Sequence, residues 1–247
     1  MKPMISSGYT LKNIKKKYQV ENEKITVLNN ISLEIDNEDI TVILGTSGCG
    51  KTTLLRAIAG IEDVDSGDII FRKEGCICKP RIGFVFQESR LMYWLTVSEN
   101  ISLHSSNKKT DVDVDKYLEI MNLQKFRNAY PSELSGGMEQ RVSVARALSF
   151  NPDMLFMDEP FSALDYFTRM DMQNEVIRIH ESTSKGVVFV THDIDEALTI
   201  GNKILVFGKD KKLVELEIGY GYDRDLTSEY FIEIKRNILR LLDNAMD

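Results

Sequence analysis

The chain runs to 247 residues, 43% of them apolar, with a formal net charge of -7. That length buries a full core, as one large domain or as a core with an inserted lobe. The surplus of acid disfavours a general binder of nucleic acid, whose phosphates are held chiefly by excess Lys and Arg.

Continuous apolar runs such as Ile40–Leu44 and residues 187–190 stop far short of the roughly 20 apolar residues that cross a bilayer. Residues 1–10 lack the charged-then-apolar order of a secretory signal. We therefore expect a cytoplasmic protein that meets membranes only through partners. Short β-type stretches at 25–28 and 31–35, separated by polar turns of Asn, Glu and Asp, predict a small antiparallel sheet near the start of the chain. Ile40–Leu44 reads as a strand buried on both faces. A Gly-rich loop follows it, then a helix over 52–58 that Gly60 stops.

That loop, Gly45-Thr46-Ser47-Gly48-Cys49-Gly50-Lys51-Thr52, followed by Thr53, has two glycines at the P-loop spacing before Lys and Thr. A strand–loop–helix setting is what the motif requires. Glycines let backbone N–H groups turn inward around phosphates, and the positive end of the following helix faces the same charge. Lys51 then reaches the β- and γ-phosphates of a nucleotide, while the Thr52 hydroxyl ligates magnesium. Cys49 fits the loop as a small residue. With Cys76 and Cys78 it gives an odd count of three cysteines, which is no disulfide framework and suits a reducing compartment. Cys76 and Cys78 have no third ligand nearby for a metal, so a plain loop is expected there.

From 88 to 150 the composition turns Asn-, Ser- and Lys-rich, with helical pieces at 114–121 and 139–148 and no apolar strand. This predicts an inserted helical lobe. Apolar strands return at 154–157, 187–190 and 204–207, separated by helical stretches, the pattern of a parallel sheet covered by helices. The first of these ends in Asp158-Glu159-Pro160. Neighbouring residues of a strand point different ways, so two acids take two tasks: Asp158 holds the magnesium shell and Glu159 polarises the attacking water. Near the end, Phe231, Ile234, Ile238 and Leu241 form one face of a helix that packs on the body.

Four further motifs share one order. Leu134-Ser135-Gly136-Gly137-Met138-Glu139-Gln140-Arg141 looks like the signature of the ABC family, Gln87 in Phe84-Val85-Phe86-Gln87 resembles its Q-loop, Ser162-Ala163-Leu164-Asp165 its D-loop, and His192 in Val190-Thr191-His192-Asp193 its switch histidine. Tyr18 stands where the family has its A-loop aromatic, although a tyrosine in a β-rich segment also suits a core. Together with the phosphate loop and the acidic strand, these cover most of the chain, from Leu11 to Phe207. The chain resembles the ATP-binding subunit of an ABC transporter.

The resemblance implies an α/β P-loop NTPase core with a mainly parallel sheet, an N-terminal antiparallel β subdomain and an inserted helical subdomain, as one ABC ATPase domain over 1–247. Residues 1–87 and 151–219 would form the core, 88–150 the helical subdomain and 220–247 a helical extension. It implies ATP and Mg2+ as ligands and a head-to-tail homodimer in which Ser135, Gly136 and Gly137 of one copy face the nucleotide of the other. Glu159, His192 and Lys51 would be catalytic, with His192 on the γ-phosphate, and Gln87 would join Thr52 and Asp158 around the metal. Nucleotide contacts would come from Tyr18, the loop Gly45 to Thr53, Gln87 and the signature. Partners would be transmembrane permease subunits and, through them, an extracytoplasmic solute-binding protein, with the subunit peripheral on the inner face of the membrane and binding no nucleic acid.

Leu91-Met92-Tyr93-Trp94-Leu95-Thr96-Val97-Ser98-Glu99-Asn100 looks like the segment after the Q-loop in importers of nitrate, sulfonates and taurine. Glu159-Pro160-Phe161-Ser162-Ala163-Leu164-Asp165 and Thr191-His192-Asp193-Ile194-Asp195-Glu196-Ala197 are similar to the same group. Departures are Tyr93 for a common Pro, Glu139 for a basic or amide residue, and Asn37-Glu38-Asp39 without the customary Gly. Trp94 is either an anchor for the permease or a core residue. The alternative, a soluble ABC-type ATPase acting on nucleic acid or the ribosome, would bring long coiled-coil insertions or a second cassette, and the sequence has neither. A non-hydrolytic regulator would lack the Glu159 or His192 equivalents, and both are present.

Overall fold

The computed structural model describes residues 7–21, 23–105, 113–208, 212–219 and 221–243. Two compact units are present, Met1–Lys79 with Gly186–Asp247, and Pro80–Lys185. The first unit opens with β1 (Gly8–Val20), β2 (Glu23–Asp36), β3 (Ile40–Leu44), α1 (Lys51–Ile58), β4 (Ser66–Lys73) and β5 (Cys76–Ile77). The second holds β6 (Ile82–Val85), α2 (Val97–Ile101), α3 (Val114–Ile120), α4 (Gly136–Ser149), β7 (Met154–Asp158) and α5 (Tyr166–Thr183). The chain then returns to the first with β8 (Gly186–Thr191), α6 (Ile194–Ile200), β9 (Lys203–Phe207), β10 (Leu213–Glu217) and α7 (Glu229–Asp243). No described helix is long and apolar enough to cross a membrane.

In the first unit an antiparallel sheet has the order β2-β1-β4-β5. The stretches at 25–28 and 31–35 are not two strands but one, β2, because Asn30 takes a left-handed conformation (φ 55°) and the pairing with β1 shifts register beside it instead of turning back. Such bulges bend a strand without ending it. Tyr9 and Phe71, opposite each other on β1 and β4, pack their rings 4.9 Å apart. Cys76 lies in β5 rather than a loop, paired with Lys73 across a two-residue turn.

The second sheet of this unit runs β10-β9-β3-β8. β3 lies between two parallel partners, and every residue of β3 and β8 is buried. A strand covered on both faces has no position for a polar alternation, which is why both read as mainly apolar runs, with Thr41 buried inside β3. β10 closes the edge antiparallel to β9. On α7 the fully buried residues are Phe231, Ile238 and Leu242, with Ile234 and Leu241 half-buried; the buried stripe drifts one residue from the predicted face.

In the second unit β6 and β7 are parallel, with Phe84 opposite Phe156 and Val85 opposite Met157. β6 escapes a sequence reading because Gly83 interrupts a run of only four residues. Between Gln87 and Phe150 the described residues contain helices and no strand. The apolar face of α4 buries Val142, Val144, Ala145 and Leu148, and Ser149 Oγ ties its end to the carbonyl of Ile101, at the end of α2, at 2.7 Å.

Candidate functional site

β3 delivers the phosphate loop and α1 receives it. Gly50 is the N-cap of α1 with φ 115°, and a Cβ there would meet the Val27 side chain at 3.0 Å and its carbonyl at 3.2 Å. Both sterics and backbone sign therefore demand glycine. Lys51, the first residue of α1, is only 4% exposed. Its ammonium folds back to donate to the carbonyls of Gly45 (3.0 Å) and Thr46 (3.1 Å), which fixes a cation at the mouth of the loop. Ser47 and Gly48 are exposed, while Thr46, Cys49, Thr52 and Thr53 are half-buried.

Thr191 stands opposite Leu44 in the β3–β8 register, so exposed His192 leaves the strand end next to the one that starts the loop. Its neighbours are anchored. Thr191 Oγ1 accepts from the Asp193 amide at 3.0 Å, and Asp193 Oδ1 accepts from the amides of Asp195 (2.8 Å) and Glu196 (3.2 Å), capping α6.

Tyr18 joins the same unit by its hydroxyl, which donates to the Glu62 carboxylate and also bonds Thr53 on α1. Partial burial, then the bond to Glu62, raises its pKa above the ordinary tyrosine value. Lys16 Nζ lies 5.3 Å from the ring centroid and 3.3 Å from Glu62 Oε1. With 36% of Tyr18 exposed, the residue is a partly open platform and not a core aromatic. Glu62 and Lys16 escaped the sequence reading, since nothing in a tyrosine 44 residues away marks Glu62 as its partner.

In the second unit Asp158 ends β7 and is 5% exposed. Glu159 follows in a left-handed conformation, φ 45°, which a non-glycine residue adopts only at some energetic cost. Gln87, past the end of β6, donates to Ser162 Oγ at 3.2 Å, and that hydroxyl donates to the Glu159 carbonyl at 3.0 Å. Ser162 thus joins the Q-loop to the acidic turn, a link no spacing announced.

Ser135 caps α4, accepting weakly from the Met138 amide at 3.4 Å. Ser135 and Gly136 are exposed, whereas Gly137 is buried, and a Cβ on it would stand 2.5 Å from Thr168 Cγ2. Thr168 is itself held by Asp165, which accepts from its amide (3.1 Å) and its hydroxyl (2.6 Å). Signature and D-loop therefore share one threonine. α4 also holds the segment after β6: Gln140 donates to the Phe86 carbonyl (3.3 Å), Ser89 donates to Glu139 (2.8 Å), and Arg146 donates to the carbonyls of Ser89 (2.9 Å) and Arg90 (2.8 Å). Glu139, a departure from the family pattern, has this structural use.

Tyr93 and Trp94 are 58% and 73% exposed, so Trp94 is not a core residue. Asn100, fully buried, accepts from the Met92 amide (2.9 Å) and donates to the carbonyls of Met92 (3.1 Å), Leu95 (3.1 Å) and Thr96 (3.0 Å). One amide thereby knots the loop that presents both aromatics.

Known proteins share this sequence and fold. The family described as ABC transporter matches residues 28–162. The aliphatic sulfonates import ATP-binding protein SsuB of Bacillus cereus (strain ATCC 10987 / NRS 248) is 42% identical over 244 residues, which is 96% of each chain. Its namesake in Bacillus subtilis (strain 168) is 40% identical over 240 residues, 94% of this chain and 93% of that one. Among solved structures, a dimeric ATP-binding cassette in a post-hydrolysis state, bound to ADP and Pi, matches with a TM-score of 0.73 at 32% identity, covering 86% of this chain and all of the other.

Proposed function

The chain belongs to the ABC transporter family, and from that membership we propose that it is the ATP-hydrolysing subunit of an importer for aliphatic sulfonates. It binds ATP and hydrolyses it. The observation that carries the chemistry is Lys51, whose ammonium is held at the loop mouth by the carbonyls of Gly45 and Thr46. A phosphate oxygen is a stronger partner for that cation than a neutral carbonyl, and the loop amides and the start of α1 supply further positive potential. Tyr18 offers its ring to the base.

Glu159 orients and polarises the water that attacks the γ-phosphate, and His192 contacts that phosphate. Charge spreads over the γ-oxygens during transfer, and fixed donors aimed at it stabilise it. Thr52, Asp158 and Gln87 offer a hydroxyl, a carboxylate and an amide, the hard oxygen set that suits Mg2+. Bound magnesium supplies charge neutralisation at the phosphates. A second copy of the chain contributes Ser135 and Gly136, exposed at the start of α4, to the γ-phosphate, with Gly137 behind them, so the working form is a head-to-tail homodimer.

The helical subdomain, 88–150, couples this cycle to transmembrane permease subunits through Tyr93 and Trp94, and the chain is peripheral on the inner face of the membrane. An extracytoplasmic solute-binding protein delivers the sulfonate. The substrate class is supported by relatives near 40% identity that carry that name and by the segment 91–100. Glu159→Gln tests the ATPase: it should keep ATP binding, lose turnover by about a hundredfold or more, and accumulate ATP-bound dimers in light scattering. Turnover at the wild-type rate would remove the general base from the mechanism. With the cognate permease in vesicles, ATPase activity should rise with a binding protein loaded with an alkanesulfonate; a response to nitrate alone would refute the substrate class.

A further inference from the structure

The helix that follows His192 is held at both ends by the C-terminal segment. α6 has seven residues, and so short a helix has little stability of its own, which leaves its position to tertiary contacts. At its far end Arg224 Nη1 donates to the carbonyls of Leu198 (2.7 Å), Gly201 (2.8 Å) and, more weakly, Thr199 (3.5 Å), while Nε donates to Gly221 (2.7 Å). Carbonyls at a helix C-terminus have no partner within the helix and carry its negative dipole end, so a guanidinium is the natural cap. At the near end Lys235 of α7 pairs with Asp195 in the first turn. Between these, the Tyr222 hydroxyl donates to Asn202 Oδ1 at 2.6 Å, and that oxygen also accepts from the amide of Ile40 at 2.8 Å. Ile40 begins the strand that leads to the phosphate loop.

We propose that Arg224 is a positioning residue for ATP hydrolysis: from the C-terminal segment it clamps α6 and so aims His192. The inference rests on the role given above to His192. The histidine sits between Thr191, fixed in β8 opposite Leu44, and Asp193, the cap of α6, so its direction follows from the strand end and the helix axis. The strand end is set by the sheet. The helix axis is set by the buried face of Ala197, Leu198 and Ile200 together with Arg224, Lys235 and the corner at Asn202. Releasing the clamp lets α6 tilt and moves the imidazole, while the phosphate loop and Tyr18 keep their own supports. Residues 221–243 thereby become an input to turnover and not only a cover for the sheet.

The test is a double-mutant cycle on the full chain, reading kcat and KM for ATP. Arg224→Gln should lower kcat by about tenfold, a misplacement effect, with KM unchanged within about twofold and partial recovery in Arg224→Lys. In a His192→Ala background the same substitution should cause no further loss, because the group it aims is gone. A full additional loss there, or a rise in KM at constant kcat, would overturn the proposal and leave Arg224 a structural cap. If His192→Ala alone turns over at the wild-type rate, the role of the histidine itself falls, which is a separate and visible failure. Should Arg224→Gln fold poorly, Lys235→Glu carries the same cycle. Its loss of kcat should be restored by Asp195→Lys, and lack of restoration would count against the clamp.

Discussion

Leu44 and Thr191 face each other across parallel strands, and this one pairing brings Gly45 and His192 to adjacent strand ends. In open α/β sheets ligands collect outside the carboxyl ends of the strands, and the glycine-rich loop and His192, to which we assign the phosphates, both emerge there. A slip of one residue would turn every side chain of β8 to the opposite face of the sheet and break the packing on both. The same burial that stabilises the strand therefore also fixes the position of His192.

The two signature glycines should respond in opposite ways. A methyl at Gly137 would lie 2.5 Å from Thr168 Cγ2, while nothing stands within 4 Å of one at Gly136. Ala is the better helix former by about 1 kcal/mol, and overpacking costs about 1–3 kcal/mol, so the clash should win at one site and have no counterpart at the other. Gly137→Ala should lower the melting temperature and Gly136→Ala should leave it level or slightly raised. Equal losses at both sites would show that packing on Thr168 is not what sets Gly137 apart.

The base stacking proposed for Tyr18 is tested by separating ring from hydroxyl. Loss of an aromatic platform costs about 1–3 kcal/mol per base, so Tyr18→Ala should weaken ATP binding by about 5- to 150-fold. Tyr18→Phe keeps the ring and loses the tether to Glu62, and should cost less than about 1.5 kcal/mol, the net value of one hydrogen bond. Titration with a fluorescent ATP analogue measures both; equal effects would mean that the hydroxyl, not the ring, does the binding.

Trp94, 73% exposed, carries little of the fold. Trp94→Ala should shift stability by no more than about 0.5 kcal/mol and leave ATPase activity of the isolated chain intact. An aromatic anchor in an interface is worth about 2 kcal/mol or more, so co-purification with the permease should drop sharply. Retention of the complex at wild-type yield would place the coupling contact elsewhere.

Asp165 gives a pH-dependent prediction. Its bonds to the Thr168 side chain and backbone hold its carboxyl below the ordinary aspartate value. A depressed folded pKa stabilises fully above the unfolded value, about 3.9, and that contribution is lost as pH falls through the folded pKa. Asp165→Asn should therefore melt lower than the parent by a constant margin from pH 7 to about 5, with the gap closing below about 4. A gap that widens in acid would reverse the assignment. Melting curves across that range decide it.

Much of this was legible from the chain because burial on both faces writes itself as runs of Ile, Val, Leu, Phe and Met, as in β7, β8 and, but for Thr41, β3, and because each such strand ends in a motif. Where the rule weakens, so does the reading. Gly83 packs so closely that a Cβ would meet Leu155 at 2.8 Å, a reason for glycine visible only in three dimensions, and β6 went unread. Asn29-Asn30 looks like a turn yet lies within β2, since a bulge and a turn draw on the same left-handed residue. The links through Ser162, Glu62 and Thr168 join residues far apart in sequence, and hydrogen-bond partners leave no periodic trace.

Glu159, the general base we propose, carries its carboxylate on a left-handed backbone, φ 45°, a conformation that glycine reaches without penalty. Durability and turnover thus pull in opposite directions at this one position. A library sorted for heat resistance alone would drift toward the residue with no side chain and return sturdy, silent proteins, whereas any lineage that keeps the acid carries a slightly looser fold as the companion of its activity.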